Sequence, residues 1–389
     1  MNEHFDLAKD NLYNLPIVLS IADYKECCEL AVRDFRKNNA AVSMYVMGGK
    51  WCPGISDLDI VAVYKNGTKP KPLKSPWSLS EKAKFIFTHR HLSFDEKSFT
   101  DFYYIYPKST SNLRLLWGKD IILKSPEEEL SEKENKFLLS FIVFDVLVNK
   151  LLLFPRRARD SKIDVRQMIG ELYSLFYTFE ILKNITRQEI GTEFIVRIKN
   201  LRKNWFIRDF SENLKELSYL YEAGANLVLE TVTVLNEFLV SQEIWGYDGI
   251  VFRNKKYHIA FSKNWNKEKF FATFHNGHVN ITVPVIKKNI ENFKLLLPQS
   301  FSYFFLAYAN VDGGFSERVK NALNKIERIL FDSRGIKRHV AAVNNVFEAS
   351  QKSNGLYKMP FSYGFTTKKR NFLINKLMEI SVSSIRLFK

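Results

Sequence analysis

The 389-residue chain is long enough for two or three domains with packed cores. At 46% apolar and 26% charged residues it is neither a disordered nor a fibrous protein. Three cysteines, Cys27, Cys28 and Cys52, are too few for a disulfide framework or a cysteine-only zinc site, which points to a reducing, cytoplasmic compartment.

The first twelve residues, MNEHFDLAKDNL, lack the charged and apolar regions of a signal peptide. Ile21–Lys37 has helical spacing, with Leu30, Ala31 and Phe35 apolar and Lys25, Glu29, Arg33 and Arg36 between them. Ala41–Met47 is a short apolar run that predicts a buried strand closed by Gly48-Gly49, and Leu58–Tyr64 predicts a second strand. Lys- and Pro-rich residues 66–76 predict a surface loop, Ser80–Phe87 a short helix, and aromatic Phe102–Tyr106 a third strand ended by Pro107.

From Ser131 the pattern becomes helical. Ser131-Glu132-Lys133-Glu134 has the form of a capping box, and helices are predicted over about 132–153, 163–184, 188–203 and 211–241. The stretch Phe137–Phe154 is the most membrane-like, but Asp145, Asn149 and Lys150 interrupt it, so a buried helix and no membrane span are expected. Gly249–Phe252 and Tyr257–Phe261 predict one hairpin. Phe270–Phe274 and Val279–Val285, around Asn276-Gly277, predict another, giving a four-stranded antiparallel insert near 246–286. Helices are expected over 289–296, 316–331, 337–350 and 370–386.

Net charge is +16 and lopsided. Residues 1–130 carry 18 Lys and Arg against 17 Asp and Glu, and residues 131–389 carry 40 against 25. RNA or another polyanion is therefore an expected partner of the latter part, with solubility as the plain alternative. Within it, Arg156, Arg157 and Arg159 lie between helices, and Arg197, Lys199, Arg202 and Lys203 lie partly along one helix. Either group suits phosphate or a solvated surface. Tyr257, Phe261 and Phe270 interleave with Lys255, Lys256, Lys263 and Lys269, as in surfaces that stack bases. The pairs His89/His91 and His275/His278 lack the further ligands of a metal site.

The chemistry-bearing segment runs from Val46 to Val61. Asp57 and Asp59 stand two apart at a strand start and so share a face. Two carboxylates about 4.5 Å apart repel by roughly 3–4 kcal/mol at an effective dielectric near 20. No Lys or Arg lies between Trp51 and Tyr64 to offset this, and an oxygen-only pair suits Mg²⁺ or Mn²⁺. The side-chain-free Gly48-Gly49 turn lets a phosphate approach backbone amides, and Lys50 adds a point charge.

A hydrophobic strand, Gly48-Gly49, a seven-residue spacer, Ser56-Asp57-Leu58-Asp59 and a second hydrophobic strand resemble the signature of the DNA polymerase β-like nucleotidyltransferase superfamily. The resemblance covers roughly residues 22–125. It implies an α+β fold in which a nucleotidyltransferase-like core with a mixed sheet (1–130) is followed by a helical domain (131–244) and a basic region holding the small antiparallel insert and further helices (245–389). It implies an NTP substrate contacted by Gly48, Gly49, Lys50 and Ser56, two Mg²⁺ ions on Asp57 and Asp59, and a third carboxylate on a later strand. Asp101 is the first candidate for that carboxylate, with Asp95 and Glu96 as fallbacks. Pro53 in the short spacer curtails the helix that often follows the glycines. Residues 112–120 look like the segment that follows the third strand in small-molecule nucleotidyltransferases. The acceptor of the NMP is a small molecule, an RNA 3′ end or a protein. The alternative is a non-catalytic protein of this fold that binds RNA or a protein partner.

Overall fold

The computed structural model describes residues 7, 11–48, 51–68, 80–88, 91–107, 113–157, 162–244, 246, 251–253, 257–265, 293–304 and 333–353. The helix α1 (Ile21–Phe35) is opened by a capping box between Ser20 and Asp23. It packs on a mixed four-stranded sheet of β2 (Ala41–Met47), β3 (Asp59–Tyr64), β4 (Leu92–Asp95) and β5 (Arg114–Gly118), ordered β4-β3-β2-β5. β2 is antiparallel to both β3 and β5, whereas β3 and β4 are parallel. A parallel pair needs a crossover, and α2 (Glu81–Ile86), capped by the Ser80 hydroxyl, lies within it.

Strand alternation sorts the two faces. Met44, Val46, Ile60, Ala62 and Tyr64 join Tyr24, Cys27 and Phe35 of α1 in one apolar cluster. Tyr45, Val61, Val63 and Phe94 belong to a second, larger cluster that continues into the helical part. There α6 (Glu132–Arg157), α7 (Val165–Thr186), α8 (Thr192–Asn204) and α9 (Phe210–Ser241) bury Leu138, Leu172, Ile198, Leu229 and their neighbours. The Ser131–Glu134 capping box forms as expected. Among the described residues α9 is the helix long and apolar enough to cross a membrane by length and composition, and its apolar side packs into this core.

The expected hairpin forms from β7 (Val251–Arg253) and β8 (Tyr257–Ser262). Residues 289–296 do not form the expected helix. Phe293–Pro298 is instead a strand, β9, parallel to β8, so the described sheet has three strands and is mixed rather than antiparallel. An apolar Phe-Lys-Leu-Leu-Leu run reads equally as buried strand or helix by period, and pairing with β8 decides it. The second expected hairpin and the helices at 316–331 and 370–386 lie outside the described residues. A further helix, numbered α10 here (Arg334–Ser353), appears where 337–350 was expected.

Residues 102–106 are helical rather than a third strand. Two one-turn helices, α3 (Glu96–Phe99) and α4 (Phe102–Ile105), follow β4. Asp95 and Ser98 form a capping box that starts α3, and Phe99 packs edge-on and Phe102 tilted against Phe94, so the aromatic run fills a core corner. The third strand of the core is β4, which precedes these turns.

Three segments of sequence thus share one core. Phe137, Phe141 and Phe144 on α6 lie at helical spacing and meet Phe301 and Phe304 at centroid distances of 5.3–5.4 Å. α10 packs against β4, α3, α4 and α6. His339 on α10 is fully buried, stands edge-on to Phe141 and donates from Nδ1 to the Tyr104 carbonyl at 2.5 Å. Burial pushes this imidazole down to about 4 from an ordinary value of 6.5. The folded chain keeps the ring neutral while the unfolded chain takes up a proton, so stability is full above about pH 6.5 and falls with pH towards 4. Urea titrations should show a loss of about 2 kcal/mol between about pH 7 and about pH 5, and His339→Gln should flatten that slope.

Candidate functional site

The loop joining β2 to β3 is built from short-range turns and clamped from three helices. Gly48 leaves β2 at a φ of +110°, with open space where a Cβ would stand. Gly49 and Lys50 lie outside the described residues. Trp51 stacks on Tyr24 at 5.4 Å under the Arg114 guanidinium. In place of a helix, the spacer makes a turn. The Ile55 and Ser56 amides donate to the Cys52 carbonyl at 3.0 and 2.9 Å, and the Cys52 amide donates to Ser56 Oγ at 2.9 Å. Gly54 sits in the left-handed region at φ +77°, and a Cβ there would stand 1.7 Å from the Ile17 carbonyl oxygen.

From α1, the Tyr24 hydroxyl donates to the Ser56 carbonyl at 2.6 Å and accepts from the Gly54 amide at 3.2 Å. Burial pushes this phenol up to about 12, so it stays a neutral donor. From α7, the buried Arg166 donates to the carbonyls of Ile55 (2.8 Å), Ser56 (2.5 Å) and Phe85. From α8, Arg202 donates to Ser56 Oγ at 2.8 Å while its guanidinium lies 3.6 Å over the Tyr173 ring. Ser56, expected to contact nucleotide, therefore uses its oxygen to accept from Cys52 and Arg202, and its hydroxyl proton remains to donate.

This clamp positions the acid pair. Asp57 precedes β3, is half-buried and accepts from Thr88 Oγ1 at 2.7 Å. Asp59 is the first residue of β3, opposite Met47 at the end of β2. By strand alternation it shares the face of Val61 and Val63, towards the helical part. Its charge reaches Tyr177 of α7, whose phenol is raised by burial first and then by Tyr173, with Asp59 adding to the effect. Arg166 feels burial as its largest influence, which lowers it, and Tyr24 together with the carboxylates of Asp57 and Asp164 opposes that. The counter-charge missing from residues 51–64 is thus supplied by a residue about 110 positions further on.

Arg166, Gly170, Tyr173 and Tyr177 stand at i, i+4, i+7 and i+11 on α7, one stripe of the helix. Its two ends are fixed against Ser56 and near Asp59. Gly170, between them, is exposed with open space at its Cβ position. Gly48 and Gly170 thus each leave open space, and the α7 stripe carries Arg166, Tyr173 and Tyr177 from Ser56 towards Asp59. Phe176 stacks on Tyr173 at 6.1 Å and carries the Lys199 ammonium at 4.1 Å. Arg202 also keeps a buried Nε that has no acceptor among the described residues.

Asp101 is not brought to the acid pair. It begins α4 and pairs with Arg338 of α10 at 2.9 Å and with Lys124 at 3.9 Å. Arg338 in turn meets Glu129 and Tyr104, whose hydroxyl donates to Glu129 at 2.7 Å. The sheet register explains the separation. Asp95 lies beside Tyr64, at the end of β3 opposite Asp59, about 16 Å along the strand, and Glu96 and Asp101 follow it. Among the described residues no three His, Cys, Asp or Glu side chains gather as a metal site.

Of the expected basic residues, Arg197 is engaged bidentately by Glu216 at 2.9 and 2.7 Å and lies over Tyr219. Only Arg202 and Lys199 turn towards the aromatic wall. Arg156 and Arg157 fall in the last turn of α6. His91 is buried against the Tyr64 hydroxyl at 3.3 Å, and His89, His275 and His278 lie outside the described residues. Sequence reasoning missed Arg166, Gly170, Tyr173 and Tyr177. Gly170, Tyr173 and Tyr177 recur along one stripe of α7, which was the signal for them, whereas nothing local marked Arg166.

No protein-family model matches this chain, and neither a curated protein nor a solved structure matches it.

If Arg166 holds the loop, Arg166→Met removes its bonds to three carbonyls, of which that of Ser56 keeps Tyr24 as donor, and should lower unfolding free energy by about 3 kcal/mol. Arg202→Met, which loses one bond to a hydroxyl that keeps a second donor, should cost about 1 kcal/mol. Chemical denaturation of the two variants checks the contrast.

Proposed function

We propose that the protein is a metal-dependent nucleotidyltransferase that moves an NMP from an NTP to an acceptor hydroxyl. One observation carries this reading. Two half-buried carboxylates stand at the head of β3, beside the open Gly48 bend that ends β2, on a loop held by cationic and aromatic side chains of α7 and α8. A nucleoside triphosphate has the matching chemistry, with anionic phosphates for the bend and the guanidinium, and a flat base for the rings.

Asp57 and Asp59 are the residues that would hold Mg²⁺ or Mn²⁺. Both are oxygen donors, and Asp57 is oriented by Thr88. When bound, the ion supplies positive charge for the triphosphate beside two carboxylates. The chain's own contributions follow from geometry. Gly48 admits phosphate to the backbone. Arg202, held on Ser56 Oγ, brings a guanidinium charge for the phosphates to the acid-pair loop. Arg166 and Tyr24 keep the loop from moving as charge accumulates. Gly170 leaves room for the ligand.

The pairing of Asp101 with Arg338 favours a second reading. With two carboxylates rather than three, the site suits a protein that binds nucleotide and transfers nothing.

With each of the four NTPs labelled at the α-phosphate, Mg²⁺ and an extract of source cells as acceptor, the wild type should release pyrophosphate and transfer label. Asp59→Asn should cut transfer at least 100-fold, about 3 kcal/mol. Nucleotide-dependent thermal stabilisation without transfer supports the second reading, and absence of both refutes the first. Gly170→Phe should abolish nucleotide-dependent stabilisation while leaving the apo melting temperature close to wild type, because the site is open and a helix-interior glycine is already unfavourable by about 1 kcal/mol relative to Ala.

A further inference from the structure

The sheet register brings three strand ends together. β2 leaves the sheet at Met47, β3 enters it at Asp59 opposite Met47, and β5 enters it at Arg114 opposite Val46. β2 is the middle strand of the three. The Gly48 bend is therefore flanked by Asp59 on one side and by Arg114 on the other, two strand spacings apart, roughly 10 Å.

Arg114 is exposed, and among the described residues no carboxylate pairs with it. Its guanidinium lies 4.9 Å over the Trp51 ring, and Trp51 stacks in turn on Tyr24 at 5.4 Å. Tyr24 is the residue whose hydroxyl holds Gly54 and Ser56. The stack thus ties the cation to the same loop that presents Asp57. A guanidinium stacked on an aromatic face is held in one plane, and its N–H edges remain to fork onto a phosphate.

The other arginines at the loop are placed differently. Arg166 is buried and spends its donors on carbonyls of Ile55, Ser56 and Phe85. Arg202 is held on Ser56 Oγ, at the Asp57 side of the bend. Arg114 stands on the β5 side of Gly48. Arg36 provides the contrast. Its guanidinium lies 5.8 Å over Trp117, a similar cation on a similar ring. Trp117 stands opposite Met44, however, three residues along β5 from Arg114 and about 10 Å further from the bend. What singles out Arg114 is its place beside Gly48, not the tryptophan beneath it.

We propose that Arg114 holds the terminal phosphates of the NTP and so makes the site select triphosphates over monophosphates. The inference rests on the nucleotidyltransferase reading and names the feature of the substrate that is recognised. With Arg202 at the Asp57 end of the triphosphate, the β- and γ-phosphates pass the Gly48 bend and reach Arg114. In the transfer, the acceptor oxygen attacks the α-phosphorus and the acceptor proton passes to solvent. The bond from that phosphorus to the bridging oxygen breaks, and pyrophosphate departs with the electron pair. Charge grows on the phosphates beside Arg114, where a fixed guanidinium offsets it.

The test is melting of the full chain with Mg²⁺ and graded concentrations of each of the four NTPs and its matching NMP. For the NTP that stabilises the wild type most, Arg114→Gln should raise the apparent Kd by about tenfold or more, the worth of one hydrogen bond to a charged group. The Kd for the NMP and the melting temperature without nucleotide should match wild type, because Arg114 faces solvent. Arg36→Gln should bind both nucleotides as the wild type does. Arg114→Lys keeps a cation over Trp51 and serves where the glutamine variant melts low; its Kd for the NTP should lie between those of wild type and Arg114→Gln.

Wild-type NTP affinity in Arg114→Gln overturns the inference and leaves nucleotide binding standing. So does a wild type that binds NTP no more tightly than NMP. An equal loss of NTP and NMP makes Arg114 a general support of the loop, and an equal loss in Arg36→Gln makes the effect one of surface charge; each likewise overturns it. A wild type stabilised by neither nucleotide sinks the nucleotidyltransferase reading as well.

Discussion

The buried guanidinium of Arg166 is the constraint on which the rest of the site depends. It donates to carbonyls of Ile55, Ser56 and Phe85, which belong to the acid-pair loop and to the end of α2, and it comes from the first turn of α7. A buried charge is stable only where its donors are satisfied and opposite charge is near. Here the carbonyls satisfy the donors, and Asp57 supplies the opposing charge. The loop cannot take this shape without α7, nor can α7 bury its arginine without the loop. Sheet and helices are therefore locked together at the place where the carboxylates stand.

The same interaction changes how the acid pair is balanced. The sequence around Asp57 and Asp59 contains no cation, which makes a divalent ion the natural counter-charge. In the folded chain Arg166 takes part of that burden permanently, and Arg202 stands close by on Ser56. The charge of Asp57 is therefore partly balanced within the fold itself. That is consistent with Asp101 being used elsewhere, as the anchor of α10 through Arg338. The two charge networks do different jobs. One sits at the acid-pair loop, and the other ties residues 334–353 to the end of the sheet.

Much of this was legible in the residues. Strands β2 and β3, the glycine at their junction and the four long helices follow from apolar runs, period and caps. The Ser131–Glu134 box forms as its spacing requires. What was not legible depends on tertiary context. Phe102–Tyr106 has the composition of a strand, yet its rings are needed around Phe94, and two tight helical turns deliver them there. Phe293–Pro298 has no period of its own until β8 gives it a partner. The misplaced third carboxylate follows from the first of these errors. A strand at 102–106 would have put Asp101 beside the pair, whereas the true third strand, β4, carries Asp95 at the far end. Arg166 was invisible because nothing local marks a cation whose partners lie 80 to 110 residues away.

The most direct measurement is anomalous diffraction from crystals soaked with Mn²⁺ and a non-hydrolysable NTP. The account predicts an anomalous peak about 2 Å from carboxylate oxygens of both Asp57 and Asp59, with the triphosphate running past Gly48 towards Arg202 and with Asp101 still paired to Arg338. Nucleotide bound elsewhere, or an Asp57–Asp59 pair without manganese in a crystal that holds it at another place, would contradict it.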